Sequence, residues 1–215
     1  MCAVRRLNRS FAEAALLGIL FVWTSISAAA EVRWSGLQGY FDALRSFRAD
    51  FVQEVRRAGS GADLSRGKVV LQKPNRFRWD YHEPYRQLVL GDGERLWHYD
   101  PDLEQATVQQ LDDALAQSPL TQLMSGIAIV EIFRVERLSE DPVEVHYRLS
   151  PLGPETDFGV VELRFRLGEL STLDLEDALG QKTRVEFFNP VRNEPVPADT
   201  WDFVAPPGTD IVGDV

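Results

Sequence analysis

The sequence predicts a mainly β domain of the α+β kind, in which one antiparallel sheet of roughly ten strands curls around its own apolar contents. Three observations carry this. Alternating apolar and polar residues recur along most of the chain, for example Phe77, Trp79 and Tyr81 against Arg76, Arg78 and Asp80. Turn-forming residues punctuate the alternation, at Gly91-Asp92-Gly93, Asp100-Pro101-Asp102, Gly153-Pro154, Gly168 and Gly180. Only two stretches break the pattern with helical spacing, one before the strands and one in their middle.

The first thirty residues read as a removable leader. Arg5, Arg6 and Arg9 precede the apolar run Ala14 to Val22, and Ala28-Ala29-Ala30 offers a small-residue cleavage site. The run is too short for a permanent span. Cleavage after Ala30 also removes Cys2, the sole cysteine, so the exported chain has no disulfide and no cysteine to lipidate. Residues 31–215 then form a single domain. Losing Arg5, Arg6, Arg9 and Glu13 moves the formal charge from −10 to −12. So acidic a surface argues against nucleic acid and against adsorption to anionic lipid.

Val32 to Arg45 places Leu37, Tyr40, Phe41 and Leu44 on one stripe, predicting an amphipathic helix. Alternation follows in Phe47 to Val55, and across a Gly-Ser tip a second strand runs from Ser65 to Leu71. Four short strands occupy Arg76 to Tyr81, Gln87 to Leu90, Arg95 to Tyr99 and Gln105 to Gln110. Their apolar face is expected to carry Phe77, Trp79, Tyr81, Trp97 and Tyr99. Leu111 to Gln117 is helix-forming, and Ser118-Pro119 supplies an N-cap and first-turn proline for Leu120 to Met124, which Gly126 ends. Ile127 to Ile132 suits either helix or strand. These helices form a short cap over one face of the sheet. Alternation then resumes at Val143 to Leu149, Val161 to Leu167, Leu173 to Leu175 and Thr183 to Phe187. The tail holds a helical turn at Ala198 to Asp202 and a last strand near Trp201 to Val204.

Catalytic patterns are absent. His82, His98 and His146 lack ligand-spaced partners, and Ser125-Gly126 is no nucleophile elbow. Gly61 to Lys68 misses the phosphate-loop spacing by one residue and has Val69 where Ser or Thr is needed. No cofactor or metal is expected, and a secreted hydrolase is the weaker class. The apolar faces are the stronger lead. An aromatic stripe at period two is ordinarily core, but one helix and a short cap are little cover for so large a sheet. A movable cap could enclose a hydrophobic guest, with Leu120, Leu123, Met124, Ile127 and Ile129 as its apolar residues.

Several motifs resemble a known family. Ser46-Phe47-Arg48-Ala49-Asp50-Phe51-Val52-Gln53 resembles the S-F-x-A-x-F-x-Q segment of the periplasmic lipoprotein carriers, the LolA family. Lys73-Pro74-Asn75-Arg76-Phe77-Arg78-Trp79 is similar to their K/R-P-x-x-F/L-x-W strand. Asp92 to Pro101 is similar to D-G-x-x-L-W-x-Y-x-P, and Glu104 to Val108 continues it. Phe203 to Ile211 resembles the ending F-x-x-P-x-G-x-D-V, with Ile211 in place of valine.

The resemblance implies an incomplete antiparallel β-barrel of about ten to eleven strands with a helical lid over its concave face. It implies a monomeric periplasmic carrier, not an enzyme, whose cavity takes the acyl chains of lipoproteins. Cargo would come from an inner-membrane ABC-type releasing complex and pass to an outer-membrane receptor. A sister carrier for another lipid or glycolipid is the alternative. On this reading Phe77, Trp79, Leu88, Leu90, Trp97, Leu120, Leu123, Met124, Ile127 and Phe165 line the cavity. Lys73 stands where many members carry a lid-latching arginine. A lysine offers a point charge instead of a planar fork, which implies a looser lid.

Overall fold

The computed structural model describes residues 36–57, 59, 61–111, 119–124, 127–153, 158–177 and 179–213. The predicted leader, the Ser118 cap and the Gly126 stop lie outside these, as does all of the predicted 111–117 helix except Leu111.

One helix, α1 (Gly36–Ala43), leads into β1 (Ser46–Arg56), β2 (Ala62–Gln72), β3 (Arg76–Glu83), β4 (Gln87–Gly91), β5 (Arg95–Asp100) and β6 (Gln105–Gln110). Two short helices follow, α2 (Pro119–Met124) and α3 (Ile129–Ile132). Then come β7 (Phe133–Glu140), β8 (Glu144–Pro151), β9 (Phe158–Arg166), β10 (Glu169–Asp177) and β11 (Lys182–Arg192). A 3-10 turn at Ala198–Trp201 precedes β12 (Asp210–Gly213). The twelve strands form one sheet in the order β12-β6-β5-β4-β3-β2-β1-β11-β10-β9-β8-β7, open between β12 and β7.

Two expectations are corrected. The last strand is Asp210–Gly213 and not Trp201 to Val204, and it pairs with β6 in parallel. Trp201 closes the 3-10 turn, and Phe203 packs by its ring against Trp97 and Tyr99, at 5.1 and 5.4 Å between centroids. The tail therefore crosses the outer side of the meander before it can join an edge.

The second correction concerns the meander's faces. Phe77 pairs with Gly91, Trp79 with Val89 and Tyr81 with Gln87, but Leu90 pairs with Arg78 and then with Trp97. Trp97 and Tyr99 thus share the face of Arg78, opposite Trp79, because cross-strand partners point the same way. The sheet here is apolar on both sides. Leu88, Leu90, Trp97, Val108 and Trp201 form an outer cluster with Tyr99 and Phe203. Arg78 reinforces it by chelating the Asp80 carboxylate, at 2.8 and 3.0 Å, and donating to the Thr200 carbonyl at 3.1 Å.

Asp92 fixes the β4–β5 turn by accepting from the backbone of Glu94 and Arg95, both at 2.8 Å, and from Trp97 Nε1 at 3.2 Å. Gly93 supplies the positive φ there, whereas Gly91 makes room for the Phe77 ring, which a Cβ would approach to 2.5 Å. Gly67 has a similar role. A Cβ there would stand 1.9 Å from the Asp80 carbonyl oxygen, so β3 lies directly across it.

On the outer side of β8 to β11 the polar residues pair across strands. Glu162 accepts from His146 and Arg148, and Asp174 accepts from Arg164 and Arg184. Burial pushes both carboxyls up, but the hydrogen bonds and charges of their partners outweigh it and leave both below their ordinary values. Their stabilising contribution is therefore complete above the unfolded carboxylate value and is lost as pH falls through the lower folded one.

Two outcomes follow for stability. Gly67→Ala should cost about 1–3 kcal/mol, seen as a lower urea midpoint at unchanged slope, while Gly61→Ala, with no atom within 4 Å of its Cβ, should change little. Asp174→Asn should lower the melting temperature at neutral pH and flatten its decline on acidification. An unaltered acid limb would show that these pairs contribute nothing.

Candidate functional site

The concave side of the sheet carries an apolar interior supplied by nearly every strand. Phe47, Ala49 and Phe51 come from β1, Val69 and Leu71 from β2, Val161, Leu163 and Phe165 from β9, and Val185 and Phe187 from β11. Its cover is thin. α1 turns Leu37, Tyr40 and Phe41 inward, and Leu123, Met124 and Ile129 descend from the short helices α2 and α3.

Aromatic rings line the middle of this interior. Phe51 meets Trp79 and Tyr81 edge-on, at 4.8 and 5.1 Å between centroids. Burial pushes the Tyr81 hydroxyl up to about 12, and it donates to Gln53 Oε1 at 3.1 Å. Toward α1, Phe165 contacts Tyr40 at 4.8 Å and Tyr147 at 6.0 Å.

Beside these rings a groove of about 480 Å³ opens between α1 and the ends of β8 and β9. Leu37, Tyr40, Val145, Tyr147 and Phe165 form its walls, and Arg137, Glu140 and Asp141 its polar rim. The size falls in the range of small-ligand pockets. Leu37, Tyr40, Tyr147 and Phe165 also belong to the interior cluster, so the groove is continuous with it.

The sequence-predicted cavity residues separate accordingly. Phe77, Trp79, Leu123, Met124 and Phe165 come together in the interior. Leu88, Leu90 and Trp97 are excluded by register, since they face the tail on the other side. Ile127 is half exposed, and the Leu120 side chain lies outside the described residues. Phe51, Tyr81, Tyr40, Tyr147 and Phe187 join the interior without belonging to the expected cavity set. Their alternation is visible in the sequence, but which strands face one another is not.

The cover is held by polar bonds at one end of α1. Lys73 Nζ donates to the Phe41 carbonyl at 2.6 Å. Among the described residues this bond goes to α1, which forms part of the cover. Burial depresses the Lys73 ammonium, and the Asp42 carboxylate partly restores it. Asn193, at φ 62°, donates to the Ala43 carbonyl at 3.0 Å and accepts from the Arg45 N–H at 2.7 Å. It thereby closes the C-terminal turn of α1, where free carbonyls need donors.

The fold and site thus define an open-sheet β domain with a helix-covered apolar interior. The family model described as outer membrane lipoprotein carrier protein LolA matches residues 42–204. A protein named outer-membrane lipoprotein carrier protein, from Pseudomonas paraeruginosa, is 34% identical over 97% of this chain and 99% of its own. Its namesake from Methylobacillus flagellatus is 34% identical over 83% of this chain and 87% of its own. The chain belongs to the LolA family. A crystal structure of an uncharacterised conserved protein from Thermus thermophilus superposes with a TM-score of 0.53. It covers 82% of this chain and 96% of its own, and at 10% identity it speaks for the fold alone.

Asn193→Gly keeps the backbone freedom that the positive φ requires and removes only the side chain. It should destabilise the protein by about 1–3 kcal/mol and speed amide exchange in α1 before that of β9 or β11. Equal acceleration everywhere would count against a local role.

Proposed function

We propose that this protein carries lipoproteins through the periplasm by sheltering their acyl chains against its concave apolar face. The observation that supports this most directly is the pairing of a large apolar interior with thin helical cover and an apolar groove leading into it. Phe77, Trp79, Leu123, Met124 and Phe165 are the residues from the expected set that stand where such chains would lie. Membership of the carrier family supports the cargo class, and the similarly named relatives share most of this chain.

The energetics suit a shuttle. Hiding one chain of about fifteen methylenes from water is worth on the order of 12 kcal/mol, at about 0.8 per CH₂. Free diffusion of such cargo is therefore prohibitive, while exchange between two apolar sites is nearly balanced. The interior is closely packed, with Phe77 only 8% exposed and Met124 4%. Loading thus requires the cover to move and the flexible methionine to repack. We propose that an inner-membrane ABC-type complex supplies cargo and that an outer-membrane receptor accepts it. Lys73 serves this cycle by fixing the C-terminal end of α1.

The deciding experiment is recovery of the exported protein from periplasm followed by mass spectrometry of whatever co-purifies. Triacylated lipoproteins are the expected result. Other lipids would reassign the protein as a carrier of a different cargo, and a lipid-free protein that also refuses lipoprotein in vitro would overturn the proposal.

A further inference from the structure

The N–H of Ile129, the first residue of α3, needs an acceptor that its own segment does not provide. Ala128 precedes it and makes no side-chain cap, as an alanine must. The acceptor comes from α1, where Gln38 Oε1 receives the Ile129 N–H at 2.7 Å. The separation in sequence is 91 residues. Gln38 is held for this task, because its Nε2 donates to Asp42 Oδ1 at 2.7 Å one turn further along the helix. A carboxylate only accepts, so it must take the amide NH₂, which turns the amide oxygen toward Ile129.

We infer that Gln38 is the positioning residue that fastens the cap over the interior to α1. Asp42 sets its orientation, and Lys73 binds the Phe41 carbonyl of the same helix, so polar bonds join the end of β2, α1 and the start of α3. The side chain of Ile129 is buried in the interior cluster, so releasing its N–H unseats an apolar residue that closes the site. Breaking the Gln38 bond is the step that separates α3 from α1. Its consequence for cargo rests on the carrier reading above. The bond itself does not.

The test uses the exported protein and two readouts, amide exchange at Ile129 by NMR and release of a pyrene-labelled hexadecanoic acid. Gln38→Met keeps length and bulk but removes the acceptor. It should speed Ile129 exchange about fivefold to tenfold, as for a lost helix cap, leave Val161 and Val185 in the sheet protected, and hasten release of the probe. The double variant Gln38→Glu with Asp42→Asn exchanges the amide and carboxylate between the two positions. It should restore slow exchange and slow release together, which a merely bulky residue would not do. Unchanged exchange at Ile129 in Gln38→Met, or no recovery in the folded double variant, would overturn the inference. If the wild type takes up no probe, the carrier reading falls and the gating role with it. Exchange at Ile129 then still reports whether Gln38 holds the cap.

Discussion

An open sheet with an apolar concave face cannot remain bare in water, and that constraint organises the whole molecule. The strands run from β12 to β7 without meeting, so the sheet cannot close over its own interior. Burial of Phe51, Trp79, Phe165 and Phe187 therefore depends on pieces that are not strands. The molecule supplies α1 and two short helices, and their attachment matters as much as their apolar residues. Apolar contact is non-directional. Hydrogen bonds donated by Lys73 and Asn193, and one accepted by Gln38 from Ile129, give the cover a definite place.

The two sides of the β3–β6 meander illustrate a division of labour. Its inner side contributes Phe77, Trp79 and Tyr81 to the interior, under a cover of helices. Its outer side is sealed by the tail, where Trp201 and Phe203 pack on Trp97 and Tyr99 and Arg78 binds Thr200. One face is closed by the C-terminal tail and the other by helices. A carrier needs that asymmetry, since its scaffold must persist while its contents change.

At position 73 a lysine makes a single bond to α1. Lys73 needs to reach one carbonyl, that of Phe41, and a single ammonium donor does so at 2.6 Å. The planar fork of arginine is advantageous where two acceptors lie side by side. The link from α1 to α3 is made by a different residue altogether, Gln38.

The sequence by itself determined most of the strands, though not β7 or β12, and with them the amphipathic helix, a helical turn at Ala198 and the family. Each rests on local periodicity, turn chemistry or contiguous motifs, which are properties of neighbouring residues. That Phe77 and Trp79 share one face, opposite Arg78, was legible for the same reason, and both pack in the interior. Only the tertiary structure decided that Trp97 and Tyr99 face the other way, because register between strands is a nonlocal quantity and a shift of one residue reverses every side chain. The late strand at Asp210–Gly213 was likewise hidden, since its four exposed residues carry no burial pattern and its partner lies in β6. Gln38 was invisible as well. A polar residue on a helix exterior reads as solvated until the fold brings Ile129 to it across 91 residues of chain.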